Sequence, residues 1–262
     1  MQTTNNNKQL NVLVVRPEKK AQALSSLLSK QDVTCISQPL FDYQPLADNQ
    51  QSKQMLTTAD IIIFVSVAAV EFANICIAAK HWQYQHIIAV GKATKAALHA
   101  LALENIHCPS QENSEGLLTL SLLNKNVLNK KITIVRGDGG REHLATELNK
   151  RGAATQYLES YQRVWRTFPK DIDKQWHQQQ INCIVVTSNA LLEKLIQLVK
   201  ATDINVNNEM TEYWRHHCTW IVASKRIANL AQKLGLANVV QSDGANEKAI
   251  STALETLMIK KY

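Results

Sequence analysis

The sequence predicts an α/β protein with two parallel sheets of about five strands each, covered by helices. Three observations carry that expectation. Short apolar, β-branched runs alternate with stretches of helical spacing along the chain. Ten such runs in 262 residues suit two domains better than one sheet. The chain also contains an internal repeat.

The strand-like runs are residues 11–15, 33–36, 61–65, 87–90, a weaker 106–108, 132–135, 154–158, 183–187, 219–223 and 238–240. Between them apolar residues recur at helical intervals, as in Ala21, Leu24, Leu27 and Leu28, or Leu144, Ala145 and Leu148. Such alternation argues for parallel sheets with ligands bound at the carboxyl ends of the strands.

In the repeat, "VLVVRPEKKAQALSSLL" resembles "ITIVRGDGGREHLATEL", so Arg16 and Arg136 each end a strand. "IIIFVSVAAVEF" resembles "CIVVTSNALLEK" and pairs Ser66 with Ser188. "VGKATKAALHALAL" resembles "ASKRIANLAQKLGL" and pairs Gly91 with Ser224. The three pairings keep their order, as a duplicated α/β unit requires.

Composition narrows the function. At 45% hydrophobic and 19% charged residues the chain is globular, and its net charge of +7 favours an acidic partner, nucleic acid or a polyanionic small molecule. The basic residues are scattered, several at strand ends, which fits a lined cleft better than a DNA-binding arm. The five cysteines include no C-x-x-C, and Cys35, Cys76 and Cys183 sit in apolar runs as small buried residues. No H-E-x-x-H occurs, and "HHC" at His216–Cys218 is assigned no metal. "MQTTNNNKQL" lacks the apolar core of a signal peptide, and "IIIFVSVAAV" is too short to span a bilayer. A reduced, cytoplasmic protein is expected, with no nucleic-acid or membrane partner.

The turn in "KITIVRGDGGREHLATEL" carries the most chemistry. Gly137, Gly139 and Gly140 suggest a phosphate loop, but Glu142 stands where G-x-G-x-x-G needs its third glycine. What remains is a turn that starts a helix close to a strand end, so that free backbone N–H groups face a ligand. Arg141 adds a fork suited to carboxylates. Ser66, Ser188 and Asn189 follow apolar runs and precede helices, where N-capping is the default role. Gly91 ends a strand, with Lys92 and Thr94 opening the next helix. Repeated at equivalent places, these residues describe a shared site for several anionic groups.

Together the pieces resemble the uroporphyrinogen-III synthase family. The matching segments are "VLVVRP", "IIIFVSVAAVEF", "IIAVGKAT", "SEGLL", "ITIVRGDGGREHLATELNKRGA", "YLESYQRV", "IVVTSNALLE" and "ASKRIANLAQKLGL", in family order from about residue 11 to 255. The resemblance implies two flavodoxin-like domains with five-stranded parallel sheets, joined by a two-stranded extended linker, with the active site in the cleft. Residues 1–38 plus 168–262 would form a discontinuous first domain, 39–45 and 161–167 the linkers, and 46–160 the second domain. The repeat alone suggests a cut near residue 128.

The implied substrate is hydroxymethylbilane, an octacarboxylate, dehydrated and cyclised without a cofactor to uroporphyrinogen III, with ring D inverted through a spiro intermediate. Tyr161 matches the family's recurrent tyrosine as proton donor, and Thr94 matches the threonine of "VGxxT", which implies a second catalytic residue that binds a carboxylate or the leaving hydroxyl. Arg16, Arg136 and Arg141 become substrate-binding cations or members of structural ion pairs. Ser66, Gly91, Lys92, Gly139, Gly140, Ser188, Asn189, Ser224 and Arg226 complete the expected binding set. A monomer is expected, with a transient contact to hydroxymethylbilane synthase.

The chain departs from the family at Val65, in "FVS" where "FTS" is frequent, and at Ser224 and Ile227 in the second "VGxxT". A non-catalytic two-domain binder of a tetrapyrrole or other small polyanion is the alternative reading. The surviving pair Thr94 and Tyr161 favours the enzyme.

Overall fold

The structure, a computed structural model, describes residues 9–31, 33–46, 50–124, 127–140, 142–199 and 209–260. Its strands are β1 (Asn11–Val14), β2 (Thr34–Ser37), β3 (Phe41–Pro45), β4 (Ile61–Phe64), β5 (His86–Ala89), β6 (Ile106–His107), β7 (Lys131–Gly137), β8 (Ala154–Trp165), β9 (Cys183–Val186), β10 (Thr219–Val222) and β11 (Val239–Gln241). They form two sheets, ordered β11-β10-β9-β1-β2 and β3-β8-β7-β4-β5-β6.

The first sheet is parallel throughout and draws strands from both ends of the chain. β1, β9 and β10 are buried along their whole length, as strands covered on both faces must be. Alternate residues serve one face: Val12, Val14, Cys183, Val185 and Ile221 pack with Ala21, Leu24 and Leu28 of helix Glu18–Ser29 and with Ile250 and Leu254 of helix Glu247–Lys260.

The second sheet is parallel from β8 to β6 and fills a core on each face. Ile62, Phe64, Ile87, Ala89 and Val135 enter one cluster, while Ile61, Ile63, Ile88, Ile132 and Ile134 enter the other. Each such side chain contributes roughly 1.5–3 kcal/mol by leaving water. Phe64 stacks on Trp82 at 5.1 Å, and the Trp82 indole N–H donates to the Ile77 carbonyl.

This sheet has six strands where the sequence predicts five. The addition is β3, which lies beside β8 at the sheet edge. Leu40 accepts a backbone bond from Arg166 N–H, and Leu46 N–H donates to Ser160, so the two strands run antiparallel. The chain forms two compact units, Met1–Asp42 with Trp165–Tyr262, and Tyr43–Val164. Both passages of the chain from one unit to the other fall within β3 and β8.

The repeated segments take equivalent places. Along the sheets, β2-β1-β9-β10-β11 corresponds to β8-β7-β4-β5-β6. Burial of the cysteines differs from expectation: Cys183 is buried, but Cys35 and Cys76 are only partly so. Cys35 lies on the edge strand β2, with one side of the ladder open, and Cys76 ends helix Val67–Cys76.

Candidate active site

In the second unit β7, β4 and β5 are parallel neighbours, so their carboxyl ends share one edge of the sheet. Arg136 and Gly137 end β7. Ser66 caps helix Val67–Cys76 after β4, and Gly91 is the N-cap of helix Lys92–His99 after β5. Ser66 is extended, at φ −165° and ψ 162°, and its Oγ accepts the Ala69 N–H at 3.0 Å.

The same Oγ lies 3.2 Å from the Tyr161 hydroxyl oxygen. A serine oxygen that accepts the Ala69 N–H still has its own proton to donate and a further lone pair. The Ser66 O–H is therefore able to donate to the phenol oxygen, leaving the phenol proton free for a ligand.

A bulge brings Tyr161 to this place. Arg136 pairs with Glu159, but Gly137 pairs with Tyr161, which leaves Ser160 as the extra residue. Asp138 N–H donates to the Tyr161 carbonyl at 2.8 Å, and Ser160 Oγ donates to the carbonyls of Arg136 and Ala69. Tyr161 is 7% exposed, and its ring is walled by Tyr43, edge-on at 4.8 Å, and Phe72 at 5.5 Å. Burial pushes the Tyr43 phenol pKa up, reinforced by Tyr161 and opposed by Arg163.

The glycine-rich turn already holds a carboxylate. Glu159 Oε1 accepts from Arg136 Nη2 at 2.9 Å and from Gly139 N–H at 3.1 Å. The Arg136 guanidinium lies 3.5 Å over the Tyr157 ring, and its Nε and Nη1 are buried without a hydrogen-bond partner. Gly139 and Gly140 take φ of +66° and +127°, the conformations that need glycine. Arg141 lies outside the described residues.

Thr94 is buried, 3% exposed, in the first turn of helix Lys92–His99. Among the described residues no hydrogen bond links it to Ser66 or Tyr161. Lys92 beside it is exposed. The Glu112 side chain rests against Gly91, where a Cβ would stand.

In the first unit β1, β9 and β10 align their carboxyl ends in the same way, with Arg16, Ser188 and Ser224 following them. Ser188 and Ser224 are N-caps, accepting from Leu191 N–H at 3.2 Å and Ile227 N–H at 3.4 Å. Arg16 is 3% exposed and donates to Glu247 Oε1 at 3.0 Å and the Ala245 carbonyl at 2.8 Å. Burial lowers its pKa from the ordinary value, with Glu247 opposing. Asn189 and Arg226 meet in a depression of about 520 Å³ also lined by Lys225, Asn229, Leu230 and Lys233.

A family model of uroporphyrinogen-III synthase HemD matches residues 22–251. The chain belongs to the uroporphyrinogen-III synthase family.

Among relatives, the uroporphyrinogen-III synthase of Salmonella typhimurium is 31% identical over 257 residues, covering 94% of this chain and 100% of the relative. That of Escherichia coli is 30% identical over 257 residues, with the same coverage. A mutant uroporphyrinogen III synthase from Thermus thermophilus superposes with a TM-score of 0.61 at 13% identity, covering 97% of this chain and 100% of that one. The Helicobacter pylori enzyme does so at 0.59 and 13%, covering 95% and 99%. Both structural likenesses concern the fold.

Within this synthase-family chain, sequence reasoning overlooked Glu159, Glu112, Tyr43 and the contact of Gly137 with Tyr161. Glu159 had a signal, since it stands two residues before Tyr161 in "YLESYQRV". Its pairing with Arg136 becomes visible only through the β7–β8 register.

Proposed function

We infer that the protein is a uroporphyrinogen-III synthase, a cyclising hydro-lyase of haem biosynthesis that converts hydroxymethylbilane to uroporphyrinogen III. The family match across residues 22–251 carries this reading. The Ser66–Tyr161 hydrogen bond at the head of a helix supplies the chemistry it needs.

The Tyr161 O–H gives its proton to the departing hydroxyl, which leaves as water and generates an azafulvenium cation beside the Tyr161 phenolate. Ser66 donates to the phenolate so formed, and the positive end of helix Val67–Cys76 stabilises it. The substituted carbon of ring D attacks to give a spiro intermediate, which fragments and recloses through the unsubstituted α-carbon of ring D. The proton lost from that carbon as the pyrrole re-forms returns to the Tyr161 phenolate. Because the open chain closes unaided to the symmetrical type I isomer, much of the protein's work is orientation.

In the second unit Arg136, Gly139, Gly140, Gly91 and Lys92, at the carboxyl edge of its sheet, offer donors to carboxylates; in the first unit Asn189 and Arg226 offer donors of the same kind. Thr94 contributes from the first turn of its helix. Arg16, Ser188 and Ser224 act chiefly through the ion pair and caps they already make.

Each unit is read as a flavodoxin-like domain, supported in the first by strand order β2-β1-β9-β10-β11, which is the order 2-1-3-4-5 of that fold. The paired β3 and β8 are the two-stranded linker. Among the described residues no helix is long and apolar enough to cross a membrane. A cytoplasmic monomer that receives its substrate from hydroxymethylbilane synthase fits this reading.

The test supplies hydroxymethylbilane, made in place by its own synthase, and separates the oxidised products by chromatography. Type III product that depends on this protein supports the enzyme. Type I alone, at the uncatalysed rate with the protein folded, returns the binding-protein reading.

A further inference from the structure

We propose that Gly137 is a positioning residue for the Tyr161 phenol, an inference that rests on Tyr161 being the proton donor. Gly137 stands opposite Tyr161 in the β7–β8 ladder, where the register shifts. A Cβ at Gly137 would lie 2.7 Å from Tyr161 Cε2, 2.7 Å from Cζ and 3.0 Å from the phenol oxygen. Non-bonded carbon atoms prefer roughly 3.5–4.0 Å. The hydroxyl end of the ring thus occupies the space that any other residue at 137 would fill.

Backbone conformation does not demand glycine here. In the same turn Gly139 and Gly140 have positive φ, but Gly137 does not. An alanine fits the chain at 137, and its methyl group acts on the ring. The ring has little freedom to yield, with Tyr43 edge-on at 4.8 Å and Phe72 at 5.5 Å. Displacement therefore moves the phenol oxygen relative to Ser66 Oγ, from a separation of 3.2 Å that is already long for two hydroxyls. Gly137 acts through Tyr161 and touches no reacting atom itself.

The experiment is a double-mutant cycle with Gly137→Ala, Tyr161→Phe and the pair, reading kcat, KM and the type III to type I ratio on hydroxymethylbilane. Gly137→Ala should lower kcat about 10- to 100-fold, the scale of a misplaced reacting group, with KM within about threefold. In the Tyr161→Phe background it should change kcat no further, because the hydroxyl it displaces is gone. Equal losses in both backgrounds, or unchanged kcat in Gly137→Ala alone, overturn the proposal. A fully active Tyr161→Phe enzyme overturns instead the assignment of Tyr161 beneath it. Should Gly137→Ala fail to fold, Tyr161→Ala in the same chain removes the ring and should restore folding. A double variant that stays unfolded counts against the ring as the obstacle.

Discussion

The hydroxyl oxygens of Ser66 and Tyr161 lie 3.2 Å apart, although 95 residues of chain separate them. One caps a helix after β4, and the other sits at a bulge in β8. Under the proposed function Ser66 has two duties, one in capping and one towards the Tyr161 phenol, and the two are separable.

Ser66→Ala removes both duties, whereas Ser66→Gly leaves a backbone that still caps well. The alanine variant should lose about 1 kcal/mol of stability and the glycine variant only a few tenths. Both should lower kcat about threefold to tenfold through the lost bond to Tyr161. Thermal unfolding and steady-state kinetics on the two variants check this. Wild-type kcat in Ser66→Gly would confine the serine to capping.

Glu159 occupies donors that the proposed function gives to a substrate carboxylate, namely Arg136 Nη2 and the Gly139 N–H. Substrate must displace it or share them. Glu159→Gln removes the competing charge and should lower KM by about threefold, while Arg136→Ala should raise it several-fold (~0.7 kcal/mol per factor of three). If Glu159→Gln raises KM as Arg136→Ala does, the glutamate is an anchor for the guanidinium and not a competitor.

Asp42 in β3 receives two bonds from Arg166 in the stretch after β8, Nε to Oδ2 at 2.8 Å and Nη2 to Oδ1 at 2.7 Å. These hold the Asp42 carboxyl below the usual carboxylate range. A folded pKa below the unfolded value adds stability that is full above about pH 4 and is lost as pH falls through the folded pKa. The pair is exposed, so the effect is small. Asp42→Asn should melt lower than wild type at neutral pH, with the gap narrowing as the buffer is acidified below about pH 4. A gap that widens in acid would contradict the sign.

Much of this was local enough to read from sequence. Apolar runs such as "IIIF" and "CIVV" need no partner to be recognised as buried strands, and Ser66, Ser188 and Ser224 cap the helices that follow them. β3 was different. "FDYQP" is short, polar at alternate positions and ends in proline, so its strand character comes from lying beside β8, far along the chain. The site followed the same division. Tyr161, Ser66 and Arg136 stood out singly, but the Ser66–Tyr161 bond, the Arg136–Glu159 pair and the space at Gly137 all depend on register. A single bulged residue, Ser160, shifts that register between the Arg136–Glu159 pair and the Gly137–Tyr161 pair.

Tyr161 as proton donor is tested most directly by the Tyr161→Phe variant, assayed on hydroxymethylbilane beside the wild type with product isomers resolved. The phenyl ring keeps the packing against Tyr43 and Phe72 and loses the hydroxyl, with its proton and its bond to Ser66. Folded protein is expected, with turnover lower by about 10²-fold or more and a product mixture moving towards type I as unaided closure competes. Type III product at the wild-type rate would mean that the proton comes from elsewhere.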